Sequence, residues 1–280
     1  MSSRWLLILV SGTSAVLGHL ASSSYWKWWL GNGNDCEISL GTYEGPLFTN
    51  PKSTISSECL VGSKFMELRR HTLRTPGALG IESSETIDDW LFVEYHDRIN
   101  VLAARDPLEG SEATTSSTPS SSMEFEVFRQ TKYALGVSSL AVVGGIIEQH
   151  EEPEVAARRE LEEEMGLVTS QPLVSLGRFR TDSNRGLGWV NAFLAVSCVP
   201  SKERREREKK LKLPGITSRR SKDKEAEEVG KKDSELQRPL VMDLNELRAA
   251  ASRGEFREVQ WSNTVALALL HLEMGLGGVN

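Results

Sequence analysis

Glu160, Glu163 and Glu164 stand at spacings i, i+3 and i+4 in the 280-residue sequence. On an α-helix, with about 3.6 residues per turn, that spacing brings the three carboxylates to one face. Like charges at these separations repel. A hard divalent cation relieves the repulsion, because Mg2+ takes oxygen ligands and keeps waters and substrate phosphates in its octahedron. A solvated acidic face would also show glutamates so spaced, but it would not account for the glycines around them. Gly145 follows the apolar run Leu140 to Val143 and opens a loop, where a residue without Cβ lets backbone approach a metal or ligand closely. The chemistry open to such a group is that of a cation held beside phosphate oxygens.

The stripe needs a helix and a sheet to hold it. Pro153 suits a helix start, acidic residues surround that start, and Gly166 suits the position past its end, so the spacing predicts a helix over 153–165. Leu161 and Met165 fall on the opposite side from the glutamates, where they can pack on a sheet. Strand-like runs occur at Trp90 to Tyr95, Ile99 to Ala104, Phe125 to Arg129 and Leu140 to Val143, the first two reading as a hairpin turned at His96-Asp97-Arg98. Helical periodicity returns at 243–251 and 264–274, with Gly254 as a stop between them.

The segment Gly145 to Leu167, GIIEQHEEPEVAARRELEEEMGL, resembles the Nudix box: a glycine, five residues, a glutamate, seven residues, then Arg-Glu-aliphatic-any-Glu-Glu-any-Gly-aliphatic. Gly145, Glu151, Arg159, Glu160, Leu161, Glu163, Glu164, Gly166 and Leu167 fill every defined position. The resemblance implies an α/β fold, a Nudix-type α/β/α sandwich with a mixed β-sheet and a loop-helix-loop metal site. It implies a Mg2+-dependent hydrolase, with Mn2+ as a substitute, that cleaves the pyrophosphate of a nucleoside diphosphate joined to another group. It assigns Glu160, Glu163, Glu164 and the carbonyl of Gly144 to the metal, with Arg159 orienting the glutamates. The general base is Glu235, in Asp233-Ser234-Glu235, or one of the neighbouring Glu225, Glu227 and Glu228, or Glu163 on the helix.

Across roughly 89–275 the sequence is similar to ADP-ribose and ADP-sugar pyrophosphatases. Val127 to Tyr133 resembles the strand before their box, and Arg129 there is a candidate for contact with phosphate or ribose. Trp90 to Ala104 and Phe256 to Leu272 resemble their preceding hairpin and closing helix. Where those enzymes often have Glu-Leu-Pro-Ala-Gly, this chain has Ala141-Val142-Val143-Gly144-Gly145. A non-catalytic nucleotide-sensing or partner-binding module on the same fold is the competing class, and a membrane-tethered scaffold working through its inserts is a third.

A net charge of −6 and pI near 5.6 exclude a nucleic-acid polymer as partner, since a backbone-binding surface needs a basic excess. A small nucleoside diphosphate derivative remains in reach because metal neutralises it, and a homodimer is left open. Residues 1–29 read as a targeting or anchor segment. Residues 5–21 are apolar, follow Arg4 and precede Tyr25, Trp26, Trp28 and Trp29 beside Lys27. That pattern suits a membrane anchor or a cleaved secretory or organellar signal; without either role the protein is cytoplasmic. Residues 30–85 read as a linker and 86–280 as the catalytic domain, with flexible inserts at 105–122 and 201–232. Three cysteines, Cys36, Cys59 and Cys198, are too few for a disulfide scaffold or zinc site, and a Cys36–Cys59 bridge requires an oxidising compartment.

Overall fold

The computed structural model describes residues 43–75, 85–105, 123–211 and 237–275. The expected anchor at 5–21, Cys36, most of the insert after Arg105, the segment 212–236 and the candidate base Glu235 lie outside the described residues. Two compact units divide between Tyr95 and His96, so the run Trp90 to Tyr95 lies in the first unit.

The first unit contains β1 (Thr54–Gly62), β2 (Met66–Arg74) and β3 (Thr86–Tyr95), paired antiparallel in that order. Two of these strands occupy the stretch expected to be a linker. What holds them is poorly visible to hydrophobic periodicity: Glu58 and Arg70 stand directly opposite and pair at 2.5 Å, while Arg69 bonds Glu67 at 2.6 Å and Ser57 Oγ at 2.8 Å. Cross-strand polar pairs stabilise a ladder without an alternating apolar pattern. The apolar contribution is a small ring stack, Phe92 lying 5.2 Å from Phe48 and 4.9 Å from the buried imidazole of His71.

In the second unit a mixed sheet forms around β4 (Arg98–Arg105). β4 runs parallel to β10 (Gly186–Ala195) and antiparallel to β5 (Glu124–Thr131) and β7 (Val143–Ile146). β5 also carries β6 (Ser138–Ala141) and β12 (Gln237–Asp243), and β10 carries β9 (Val174–Asp182). Both edges of β4 are thus taken and β3 pairs with β2, so the expected hairpin of these two runs is not made. The burial of six consecutive residues, Ile99 to Ala104, follows from cover on both faces. Helices α1 (Pro153–Met165) and α4 (Val259–Glu273) both pack on β4, and α3 (Leu244–Ser252) packs on β5 and β12. α2 (Lys202–Leu211) occupies the start of the expected charged insert.

α1 has the expected limits: Pro153 at its first turn, and Gly166 at φ 62° closing it with N–H bonds to Glu162 and Leu161 carbonyls. It buries Ala156, Ala157, Leu161 and Met165 in a core shared with Leu102, Phe125, Phe128, Leu140 and Leu194. Burying a leucine such as Leu161 contributes roughly 1.5–3 kcal/mol, enough to fix which face turns outward. The expected single strand 140–143 is instead broken at Val142. The chain crosses there from β5, where Leu140 faces Arg129, to β4, where Gly144 faces Asn100.

His71 yields a pH prediction. Burial, then the Arg69 charge, holds its pKa below the ordinary imidazole value of 6.5. The unfolded chain therefore takes up the proton first on acidification, so the stability gained from a neutral His71 is present above pH 6.5 and lost as pH falls below it. The melting temperature of the wild type should drop between pH 7 and pH 5 by more than that of His71→Phe, which keeps the stack on Phe92. Parallel curves for the two proteins would exclude this role.

Candidate functional site

The site begins where β7 gives way to α1. After Ile146 the backbone loses its ladder and makes a turn at Glu148–Glu151, closed by the bond from the Glu151 amide to the Glu148 carbonyl and by Glu151 Oε2, which accepts from the Glu148 amide at 3.0 Å. His150 within it sits at φ 66°. Arg159, two turns into α1, reaches back to this loop. Its Nε and Nη2 donate to the two oxygens of Glu151 at 2.9 and 2.8 Å, and Nη2 also donates to the Ile146 carbonyl at 3.1 Å. Nη1 donates to Glu160 Oε1 at 2.6 Å and lies 3.8 Å from Glu163 Oε2.

These contacts set the charge states. The hydrogen bond from Arg159 holds the Glu151 carboxyl below the usual carboxylate range, and the bond to Glu151 in turn raises Arg159 further above its normal value. Burial pushes Glu160 up, against the opposing pull of Arg159. Three carboxylates, Glu151, Glu160 and Glu163, thus surround one guanidinium.

Backbone at Gly144 and Gly145 completes the cradle. Glu160 lies directly over Gly145: a Cβ there would fall 2.1 Å from Glu160 Cδ. Glu164 Oε2 lies 3.5 Å from the Gly144 amide nitrogen. On β4, Asn100 stands opposite Gly144, its Oδ1 3.1 Å from where a Gly144 Cβ would sit. The structure therefore brings Gly144, Arg159, Glu160, Glu163 and Glu164 together. Arg129 is placed apart, half-exposed on β5 with its guanidinium 3.9 Å from Glu255. Among the described residues no three acidic or histidine side chains converge on one point, because Glu160 is drawn to Arg159 and Glu164 leans on the Gly144 amide. The donor chemistry nevertheless fits a hard divalent cation: the groups are all oxygens, negative charge is in excess, and the side-chain-free backbone leaves room beside them.

Three positions near the site carried no recognisable sequence signal. Asp97, expected in a hairpin turn, ties the loop to β10 instead: its carbonyl accepts from the Ile147 amide at 2.9 Å, and its carboxylate accepts from the Trp189 amide at 3.0 Å and from Arg178 at 2.8 Å. Arg98 donates to Thr181 Oγ1 at 3.2 Å. Glu258, at the start of α4, has its pKa raised by burial and opposed by the charges of Arg98 and Lys132. Such groupings join residues far apart in the chain, so spacing cannot announce them.

The family comparison agrees with this geometry. The NUDIX domain model matches residues 125–261. No curated protein matches the chain. Among solved structures, a crystal structure of an ADP compounds hydrolase aligns with a TM-score of 0.53 at 14% identity, covering 83% of this chain and 100% of that one. At that identity the likeness shows a shared fold, which is the α/β Nudix fold. With the box residues assembled around Arg159, the match over 125–261 identifies a NUDIX domain within this chain.

Proposed function

We propose that this protein is a Mg2+-dependent hydrolase that cleaves the pyrophosphate bond of a nucleoside diphosphate linked to a second group, with ADP-ribose or an ADP-sugar as substrate. The observation that carries the proposal is the intact carboxylate stripe of Glu160, Glu163 and Glu164, set beside side-chain-free backbone at Gly144 and Gly145. The choice of substrate rests on the similarity of residues 89–275 to ADP-ribose and ADP-sugar pyrophosphatases, and the structural neighbour that acts on ADP compounds is in keeping with it.

In this reading Glu160, Glu163 and Glu164, with the Gly144 carbonyl, hold the metal, and Mn2+ substitutes for Mg2+. The metal supplies phosphoryl polarisation and an acidified water when bound. Arg159 orients the carboxylates, since its bidentate bond to Glu151 fixes the guanidinium before any ligand arrives. Glu163 or Glu235 takes the proton of the attacking water. Arg129 contacts a phosphate or the ribose, exchanging its long pair with Glu255 for a closer anion. Apolar residues 5–21 attach the full-length chain to a membrane, a reading carried by the sequence alone; among the described residues no helix is long and apolar enough to cross one.

Three outcomes are expected. Glu163→Gln and Glu164→Gln should each lower turnover of ADP-ribose by at least about a hundredfold with the fold intact by circular dichroism, because a lost ligand removes transition-state charge stabilisation. Activity within a few-fold of wild type in both would sink the assignment of these carboxylates to the metal. Gly145→Ala should displace Glu160 and cost about tenfold to a hundredfold in activity, with little change in melting temperature, because the flexible end of Glu160 can move aside. A large stability loss with normal specific activity would count against a role for that close approach. Finally, full-length protein should stay in the membrane fraction after an alkaline carbonate wash while residues 30–280 stay soluble and equally active. Release of the intact chain would rule out an anchor, and a shortened soluble product would indicate a cleaved signal.

A further inference from the structure

The other end of α1 carries an arrangement that neither the box nor its chemistry explains. Glu126 on β5 is fully buried, its side chain 0% exposed, and is gripped by two arginines from distant parts of the chain. Arg105 at the end of β4 donates to Oε2 at 3.1 Å, and Arg204 in the first turn of α2 donates to Oε1 at 2.8 Å. The same Nη1 of Arg204 donates at 2.8 Å to the carbonyl of Met165, the last residue of α1.

α1 needs such a donor. Its last turn contains Glu163 and Glu164 and no basic residue, so like charges sit at the negative end of the helix dipole, and the helix's own Arg159 lies a turn back, 3.8 Å from Glu163. Arg204 supplies that positive charge from outside, and Glu126 holds it in place. The approach is stitched by backbone as well. Val199 and Pro200 pair with Val168 and Leu167, and the Ser201 amide donates to the Gly166 carbonyl at 2.8 Å. The aliphatic stem of Arg204 lies against Gly166, where a Cβ would come within 3.2 Å of its Cβ. Gly166 thus has a second reason to be glycine, beyond its positive φ.

We propose that Arg204 is a positioning residue for the metal-binding stripe: clamped by Glu126, which Arg105 also holds, it fixes the C-terminal turn of α1 and so the placement of Glu163 and Glu164. This rests on the proposed metal site, and it assigns a task to α2, which the sequence presents as a solvated charged excursion. Groups that orient metal ligands without touching the metal typically change affinity or activity by about tenfold to a hundredfold when removed.

The test is Mn2+ binding, read from the free-ion signal in electron paramagnetic resonance, beside steady-state kinetics on ADP-ribose. Arg204→Met should weaken Mn2+ binding by about tenfold or more and lower kcat, while KM for substrate at saturating metal changes by less than about twofold. Arg204→Lys, which keeps the charge, should recover part of the Mn2+ affinity. Removing Arg204 alone leaves Glu126 buried with one cation fewer and threatens folding, so Glu126→Gln/Arg204→Met, which removes this ion pair while the amide oxygen of the glutamine still accepts from Arg105, should fold and show the same weakened Mn2+ binding. Wild-type Mn2+ affinity and kcat in the double variant would overturn the positioning role while leaving the metal site standing. Wild-type protein that binds no Mn2+, or binds it unaffected by Glu164→Gln, would overturn the site and this role with it.

Discussion

Everything at the site hangs on the guanidinium of Arg159, because the segment between β7 and α1 has no ladder or helix of its own to define it. A backbone free to wander there would carry α1 and its carboxylates out of register with Gly144 and Gly145, which the ladder to β4 holds. Arg159 prevents this by bonding a loop side chain, the last carbonyl of β7 and a helix side chain at once: Glu151, Ile146 and Glu160. The rigid fork of donors makes that possible, and a lysine ammonium could not span the same set. The geometry also explains why Glu151 stands outside the helix, in the loop before it: its task in the fold is to hold the arginine, which then holds the others.

Electrostatics gives the site its latent character. Arg159 offsets part of the negative charge around it, and Glu160, pushed up by burial, is already displaced from its ordinary protonation behaviour. A cluster in this condition is stabilised by adding positive charge, and hard oxygen donors select which cation does so. Stability and function therefore pull in different directions: carboxylates crowded on one helix face cost folding energy that the apolar face, with Leu161 and Met165 fully packed, offsets. At the far end of the helix Arg204 makes the corresponding correction, so that α1 is held at both ends by arginines, one from within and one from α2.

Some of this was legible before any fold was known. The limits of α1 could be read because Pro153 and Gly166 have backbone preferences that act locally. The carboxylate stripe could be read because helical periodicity is a local rule. β4 and β5 were visible as apolar runs. The strands β1 and β2 were not, since their cohesion comes from pairs such as Glu58 with Arg70, which look like solvated charges until the strands lie side by side. The break at Val142 was hidden for a similar reason: an apolar run has the same appearance whether it stays on one neighbour or crosses to another.

The sequence by itself determined the helix, the face on which Glu160, Glu163 and Glu164 lie, and the glycines on either side, because each depends on torsional preference and spacing within a few residues. Only the tertiary structure decided that Gly145 must be bare because Glu160 lies on it, that Asp97 anchors the loop to β10, and that Glu126 is buried between Arg105 and Arg204. Those are contacts between residues tens of positions apart, and their existence depends on how the sheet orders its strands. Strand order follows from the burial of both faces of β4 and the pairing of both its edges, a condition that the whole domain satisfies together and that no local stretch of residues encodes.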